Sequence, residues 1–261
     1  MSYNLKFILI FTFLFNSSPL QATEITTNWN TQNNIKKLFE SNYNNDFFQL
    51  SSYYQPQINP LYCGIASSVI ILNAFRSEQK LIPSNKTFEV LKPKAFGGGL
   101  VEFKSYSQLN FLNKATDVVK NKNIINLENI NDSKNNLDPG LTLKQLSDVI
   151  ATYQLDSKIY YAKNRKYLIQ KFRNNLKKSL SDKTSFVIAN FHGKTIGKKT
   201  NGHISPIAAY DEKSDMLLVM DVASHKNIWF WVKLENFYSA MNVKDGKKHR
   251  GYLVVTDASA Q

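Results

Sequence analysis

The chain has 261 residues, of which 43% are hydrophobic and 20% are charged, and this composition excludes a disordered or collagen-like protein. Its formal net charge of +13 is compatible with nucleic acid, an anionic membrane surface or a small acidic substrate as partner. The basic residues are scattered, and the sequence contains no zinc finger, RNP-type strand or KH-like glycine loop. We therefore expect no nucleic-acid binding.

Residues 1–22 have the pattern of an export signal. Lys6 precedes an apolar stretch at 7–15, and Ala22 is a small residue at the end of a plausible cleavage site. The apolar stretch is too short to cross a bilayer. We expect an exported protein, periplasmic or secreted, without a stable membrane span after removal of the leader, and we expect residues 23–261 to form a single domain.

The first part of the remaining chain is predicted to be mainly helical. Apolar residues at helical spacing predict a short surface helix around Ile35–Phe39, a buried helix that begins at Cys63, and an amphipathic helix within 163–178. Thr142 and Gln145 form a capping-box pattern before a further helix. The asparagine- and lysine-rich segment Asn121–Pro139 is typical of a surface loop.

From residue 185 the pattern changes to short apolar or β-branched runs separated by turn residues. These runs predict five strands of one antiparallel sheet, at Ser185–Phe191, Ser205–Tyr210, Met216–Asp221, Ile228–Val232 and Gly251–Thr256. The polar segment 211–215 predicts a tight hairpin between the second and third runs. Helices followed by strands predict an α+β fold, with the helical half packed on the sheet half.

Cys63 is the only cysteine of the chain, which excludes an internal disulfide and is unlike a structural zinc site. A turn that contains Pro60 precedes it, so Cys63 is predicted to be the first residue of its helix. At that position the unpaired N–H groups and the helix dipole favour the thiolate, the reactive form of cysteine. Cys63 is either a nucleophile or a small buried packing residue.

A nucleophilic thiol needs a base and a group that orients the base. His203 lies just before one predicted strand, and Asp221 lies at the end of the strand that follows. The hairpin between these strands would bring the two side chains together, so that Asp221 fixes the imidazole and His203 takes the proton of Cys63. Gln57 and the Cys63 N–H are predicted donors to an oxyanion. Each of these side chains could also be an ordinary surface or loop residue.

Three segments resemble the phytochelatin synthase family, over roughly residues 38–256. The segment 53–74, which contains Tyr62-Cys63-Gly64-Ile65-Ala66-Ser67-Ser68, resembles the family's nucleophile segment. The segment Gly202-His203-Ile204-Ser205-Pro206 resembles its base segment, and 215–223 resembles its acid segment. Less specifically, 140–146 and 247–252 are also similar.

The resemblance implies a papain-like cysteine-peptidase fold and a catalytic set of Cys63, His203, Asp221 and Gln57. It implies glutathione as the substrate, glycine as the leaving group and a γ-Glu-Cys acyl-enzyme. Water then releases γ-Glu-Cys, or a second glutathione takes the acyl group and forms a short phytochelatin. Because this substrate has two carboxylates, Lys226 and Arg250 are expected to bind them, and Tyr62, Gly64 and Gly202 are the other expected substrate contacts.

The sequence departs from the family pattern after Asp221. The family commonly has an arginine, an aromatic residue, a lysine and two prolines there, whereas this chain has Val222-Ala223-Ser224-His225-Lys226-Asn227-Ile228-Trp229. The chain also lacks the cysteine-rich extension of the plant members. We therefore expect hydrolysis of glutathione to dominate and transfer to be weak or conditional.

No metal site is predicted from the sequence, and no bound cofactor is expected. Cd²⁺ or Zn²⁺ would take part as the thiolate complex of the acceptor glutathione. A peptidase or amidase that acts on another γ-glutamyl or peptide substrate, and a non-catalytic exported binding protein, are the alternatives. The sequence leaves the oligomeric state open, a homodimer included.

Overall fold

A computed structural model describes residues 25–76, 88–103, 105–125 and 140–257. The predicted leader therefore lies outside the described residues. So does most of the segment predicted as a surface loop, of which residues 122–125 form one helical turn.

The structure confirms the helices predicted from apolar spacing, with shifted ends. The predicted surface helix spans Gln32–Glu40, the helix that begins at Cys63 continues to Arg76, the capped helix spans Leu143–Ala151, and the amphipathic helix spans Lys166–Ser181. The predicted capping box is present, because the Thr142 hydroxyl accepts from the Gln145 N–H while the Gln145 side chain accepts from the Thr142 N–H. In chain order, the α-helices of the described residues are α1 Gln32–Glu40, α2 Asn45–Ser51, α3 Cys63–Arg76, α4 Gln108–Phe111, α5 Lys114–Asp117, α6 Lys122–Ile125, α7 Leu143–Ala151, α8 Lys166–Ser181 and α9 Leu234–Met241.

The strands form one large antiparallel sheet and two small hairpins. In chain order they are β1 Thr26–Asn28, β2 Phe88–Leu91, β3 Leu100–Phe103, β4 Asp156–Tyr161, β5 Ser185–His192, β6 Gly202–Asp211, β7 Met216–Val219, β8 Phe230–Lys233, β9 Lys244–Asp245, β10 Lys248–His249 and β11 Gly251–Thr256. The large sheet has the order β1-β8-β7-β6-β5-β11-β4, and the hairpins are β2–β3 and β9–β10. The predicted α+β class is confirmed, and the five predicted strands lie with shifted ends in one antiparallel sheet, as β5, β6, β7, β8 and β11.

The sheet is not confined to the second half of the chain, contrary to the prediction. β1 pairs with β8 at one edge and β4 pairs with β11 at the other, and both come from the part predicted to be helical. β1 is only three residues long, and β4 is an edge strand whose residues are exposed or half-buried. Edge strands carry weak apolar signals because one side of the strand has no neighbour, so periodicity does not identify them.

Helices cover both faces of the sheet. The buried helix α3 packs on one face, where Ile204 and Ala208 of β6 belong to its apolar core. The other face packs on α8 and α9, through residues such as Ile207 and Tyr210 of the same strand. β6 is therefore buried on both sides, which explains its nearly continuous apolar sequence. Among the described residues, no helix is long and apolar enough to cross a membrane.

Candidate active site

A short turn delivers Cys63 to the start of α3. The Asn59 side chain accepts from the Leu61 N–H at 2.9 Å, and the Asn59 carbonyl accepts from the Tyr62 N–H at 3.0 Å. Pro60 fits the first central position of this turn because its φ is fixed. Cys63 is then the first residue of α3, as predicted, with its partly buried side chain at the helix end where N–H groups lack intrahelical partners.

His203 and Asp221 lie side by side, as the hairpin predicts. β6 and β7 are antiparallel neighbours with an irregular register between Ile207 and Ala209, and Asp221 follows the end of β7. The Nε2 atom of His203 lies 2.7 Å from Oδ1 of Asp221, and both side chains are buried. The Cys63 side chain also hydrogen-bonds the imidazole. Since Nε2 faces the carboxylate, Nδ1 is the nitrogen that serves the thiol.

The Asp221 carboxylate is held by further donors besides the imidazole. Its Oδ1 accepts from the Ala223 N–H at 2.8 Å, and its Oδ2 accepts from Nδ2 of Asn227 at 3.1 Å. The Tyr54 hydroxyl donates to the Asp221 carbonyl at 2.8 Å. The carboxylate is therefore satisfied on both oxygens, and its position beside His203 is fixed.

The electrostatics favour a charged imidazole. Complete burial lowers the pKa of His203, but the charge and hydrogen bond of Asp221, with smaller contributions from Cys63, outweigh burial and raise the pKa to about 9. The imidazolium is consequently the main form at neutral pH, and its positive charge lies beside the Cys63 side chain. A base in contact with the thiol is the arrangement that cysteine nucleophiles use.

One cleft, with a volume of about 330 Å³, exposes this chemistry. Its wall contains Cys63 and His203 together with the polar residues Asn190, Asp245 and Arg250. Gly202 also lines this wall. This volume is at the small end of the range for small-molecule sites. The cleft therefore presents a thiol, its base and a guanidinium to one small ligand.

The Arg250 guanidinium has a fixed position. Its Nη1 donates to Oδ1 of Asn190 at 2.7 Å and lies 3.3 Å from Oδ2 of Asp245. Its Nε is buried and has no hydrogen-bond partner among the residues that the structure describes. A methyl group in place of the Gly202 hydrogen would lie 2.8 Å from Nη1, so glycine is needed for this close approach.

Gln57 lies next to the catalytic triad of Cys63, His203 and Asp221, but it is not part of the wall of the cleft. Its backbone N–H donates to the Val222 carbonyl at 2.8 Å, directly after Asp221. Its side-chain amide is buried, and Nε2 donates to the Asn59 carbonyl at 2.9 Å. Within the described part of the chain, Oε1 has no hydrogen-bond partner. One N–H of Nε2 remains for an oxyanion, so the predicted role stays a prediction.

Three other predicted substrate contacts lie outside the residues that line the cleft. Tyr62 is half-buried against the core. Gly64 lies within α3, where an added methyl group would approach Leu141 and Ile204 to 3.2 and 3.3 Å, so its absent side chain serves packing. Lys226 is exposed on the turn after Asp221. Only Gly202 and Arg250 of that group line the cleft with Cys63.

Sequence reasoning missed four polar residues at the site: Tyr54, Asn190, Asn227 and Asp245. Asn227 lies in the segment after Asp221 that departs from the family pattern. That departure indicated that the residues in contact with Asp221 could differ from those of the family. Tyr54 and Asn190 gave no local signal, because their contacts with the site join distant parts of the chain. Asp245 did have a local signal, since Asp245-Gly246 is typical of a hairpin turn and this hairpin leads back to Arg250. Within the described residues, no group of three or more histidine, cysteine, aspartate or glutamate side chains could hold a metal ion.

A cysteine at a helix N-terminus, a buried histidine and a buried aspartate are the arrangement of nucleophile, base and orienting acid found in cysteine-dependent hydrolases and acyltransferases. The chain belongs to the phytochelatin synthase family, whose family model matches residues 15–252.

Curated relatives support this membership. A protein of Arabidopsis thaliana named glutathione gamma-glutamylcysteinyltransferase 1 is 26% identical over 80% of this chain and 37% of its own length. The enzyme of the same name from Triticum aestivum is 26% identical over 82% of this chain and 36% of its own length. The Schizosaccharomyces pombe glutathione gamma-glutamylcysteinyltransferase is 21% identical over 80% and 43%, respectively. The chain thus spans about two fifths of the length of these relatives or less.

Proposed function

We propose that this protein cleaves glutathione through a γ-Glu-Cys acyl-enzyme on Cys63. The observation that carries the proposal is the cleft that Cys63 and His203 line together with Arg250. Asp221 hydrogen-bonds the Nε2 atom of the imidazole and so orients it. The names of the relatives specify γ-glutamylcysteinyl transfer from glutathione. The cleft places the Cys63 thiol near the Arg250 guanidinium, which can bind a carboxylate of this substrate.

In the first half-reaction the Cys63 sulfur attacks the cysteinyl carbonyl carbon of glutathione. The bond from that carbon to the glycine nitrogen breaks, and the imidazolium of His203 gives its proton to the leaving glycine amine. The Cys63 N–H at the start of α3 and one N–H of the Gln57 side chain are the proposed donors to the oxyanion, and one such donor contributes about 3–4 kcal/mol. Asp221 keeps Nδ1 directed at the sulfur throughout.

In the second half-reaction the neutral His203 removes a proton from the acceptor. Water as acceptor releases γ-Glu-Cys, and the amine of a second glutathione gives (γ-Glu-Cys)2-Gly. Hydrolysis dominates at low glutathione concentration because water is always present. Cd²⁺ or Zn²⁺ enters as part of the substrate, bound by the thiol of the acceptor glutathione.

Arg250 and Asp245 provide recognition of the donor. A γ-linked glutamate carries a free α-carboxylate next to a free α-ammonium group. The Arg250 guanidinium would bind the α-carboxylate, and the neighbouring Asp245 carboxylate would bind the α-ammonium group. The Asn190 amide holds the guanidinium in this position. Peptides linked through the α-carboxyl group lack this end, so the pair would discriminate against them.

The architectural proposals follow from the same elements. A helix that carries the nucleophile and packs on an antiparallel sheet that carries the base and the acid is a papain-like arrangement. We propose this fold for the chain as one catalytic domain. We also propose export through the leader at residues 1–22, and an extracytoplasmic supply of glutathione.

The proposal is tested by mass spectrometry of the protein incubated with glutathione, with and without Cd²⁺. We expect glycine and γ-Glu-Cys from the native protein, and a covalent adduct of γ-Glu-Cys on Cys63 after rapid quenching. Cys63→Ala should give none of these products. The isomer α-Glu-Cys-Gly is the matched control, since it has the same composition without the γ-glutamyl end. Turnover of neither peptide, or equal turnover of both, would contradict the proposed substrate.

A further inference from the structure

A second cleft adjoins the catalytic one. It has a volume of about 280 Å³ and lies between the start of α7 and the hairpin β9–β10. Asp245 lines both clefts, and the chain passes from Leu141 in the first directly to Thr142 in the second. A ligand in the second cleft would therefore be a neighbour of a group bound at Cys63.

The second cleft is basic. Lys144, Lys247 and Lys248 line it against a single carboxylate, that of Asp245, which already faces Arg250. Lys144 pairs with Asp148 on the surface of α7. In the ranges that the structure describes, Lys247 and Lys248 make no ion pair. No carboxylate among the described residues therefore neutralises these two charges, and they can attract an anion.

The walls around these lysines are ordered. The hairpin turns at Gly246, whose φ of +64° suits glycine, and Arg250 at its end donates its N–H to the Val243 carbonyl at 3.0 Å. The Lys248 ammonium lies over the Tyr161 ring, 4.8 Å from its centre. Leu143 and Tyr161 add apolar surface to the floor of the cleft. The hairpin that carries the lysines is the one that places Asp245 beside Arg250.

We propose that this basic cleft is the acceptor subsite, and that Lys247 and Lys248 bind the C-terminal carboxylate of an anionic peptide acceptor, a second glutathione or a short phytochelatin. The inference rests on the proposed function and adds the residues that choose between transfer and hydrolysis. Arg250 remains occupied by the γ-glutamyl end of the acyl group after glycine leaves. The acceptor therefore needs other cations, and the adjoining cleft supplies them.

The chemical step is balanced without a further reagent. The acceptor's α-amine nitrogen forms a bond to the thioester carbonyl carbon, and the bond from that carbon to the Cys63 sulfur breaks. The amine proton passes to His203, which regenerates the pair of thiolate and imidazolium. No oxidant or reductant takes part. Lys247 and Lys248 bind the far end of the acceptor and touch no reacting atom.

The test is the product ratio of Lys247→Gln/Lys248→Gln. We expect the ratio of (γ-Glu-Cys)2-Gly to γ-Glu-Cys to fall at least about fivefold at a fixed glutathione concentration, since two charge-assisted contacts are lost. The rate of glycine release at low glutathione should stay within about twofold, because the donor site is intact. Lys166→Gln/Lys213→Gln removes the same charge from exposed positions elsewhere and should change neither value.

Binding to Cys63→Ala provides the second measurement, by calorimetry with glutathione as the probe. We expect two sites per chain in Cys63→Ala, and one site when Lys247→Gln/Lys248→Gln is added. An unchanged product ratio, or only one site in Cys63→Ala, would overturn the acceptor subsite. If the native protein still releases glycine, an unchanged product ratio or a single binding site contradicts only the acceptor subsite and not the proposed function. If the native protein releases no glycine, the proposed function itself is contradicted.

Discussion

The Ser67 hydroxyl joins the helix that carries the thiol to the strand that carries the base. It lies 2.7 Å from the Cys63 carbonyl oxygen and 3.2 Å from the Ile204 carbonyl oxygen, and it is fully buried. Ile204 directly follows His203 in β6. This hydroxyl therefore links the first turn of α3 to the residue next to the imidazole. Displacements of about 1 Å at a reacting pair cost roughly 100-fold in rate, so this contact matters for catalysis.

We expect Ser67→Ala to lower kcat about tenfold, because the thiol and the imidazole lose their common anchor. Ser68→Ala is the matched control. The Ser68 hydroxyl is also buried, and it donates only within α3, to the Gly64 carbonyl at 2.8 Å. Both variants should lose about 1 kcal/mol of unfolding free energy in urea titrations. Equal kcat values for the two variants would contradict the anchoring role.

The raised pKa of His203 predicts how Cys63 reacts with pH. Cys63 is the only thiol, so the rate of iodoacetamide alkylation reports on this residue alone. We expect the rate to show a step near pH 9, when the imidazolium beside Cys63 loses its proton and the positive charge next to the sulfur disappears. Asp221→Asn should move that step to lower pH, because it removes the charge that raises the pKa. A native profile without a step around pH 9 would show that the pair is not charged.

The same shift predicts a change of stability with pH. The pKa of His203 is about 9 in the folded protein and about 6.5 for an unperturbed histidine. Its contribution to folding is fully present below about pH 6.5 and is lost as the pH rises through about 9. We expect the unfolding free energy to fall by on the order of 3 kcal/mol across this window. In His203→Gln the decline of the unfolding free energy with pH should be smaller by that amount. Urea titrations at each pH measure this decline, and an equal decline in the native protein and the variant would contradict the prediction.

The sequence contained enough information to predict the centre of the molecule. The runs that became β5, β6 and β7 are nearly all apolar because both faces of these strands are buried, and the hairpin between β6 and β7 then fixes the neighbours His203 and Asp221. The start of α3 at Cys63 followed from the turn at Pro60. These features depend on local sequence, which is why they could be predicted.

The polar contacts around that centre depend on distant segments. Asn190 of β5 meets Arg250 because β5 pairs with β11 in one register, and no local pattern indicates that pairing. Asp245 lies beside Arg250 because of the hairpin β9–β10. Gly64 shows the opposite error, since its neighbour in sequence is the nucleophile and yet its contacts are with the apolar core. A position next to a motif in sequence therefore did not by itself identify a residue of the site. The pairing of distant strands decided which polar residues lie there.

The contact between Gly202 and Arg250 predicts a substrate-binding defect without a chemical one. In Gly202→Ala the new methyl group would approach Nη1 and Nη2 of Arg250 to 2.8 and 2.9 Å, so the guanidinium must move. We expect KM for glutathione to rise about tenfold with kcat changed by less than about threefold. Arg250→Lys should have a similar effect, because it removes the bidentate group. The double variant should be no worse than Arg250→Lys, and full additivity would show that the glycine acts elsewhere.

Asn227 is predicted to act on catalysis through Asp221. Its Nδ2 donates to Oδ2 of the carboxylate at 3.1 Å, and its Oδ1 accepts from the Lys199 N–H at 3.3 Å, which ties the loop before β6 to the turn after β7. Asn227→Ala leaves one buried carboxylate oxygen without its donor, so the carboxylate is free to rotate away from His203. We expect kcat to fall about tenfold while KM stays the same, since Asn227 lies outside the wall of the cleft.

His225→Ala is the control for that variant, because His225 is exposed on the same turn. It should leave both kinetic constants unchanged. A merely structural role of Asn227 would lower the melting temperature without moving the step in the alkylation profile near pH 9. A positioning role predicts that the step moves to lower pH, because a displaced carboxylate holds the imidazolium proton less tightly. The alkylation profile of Asn227→Ala therefore separates the two roles even if the variant is less stable.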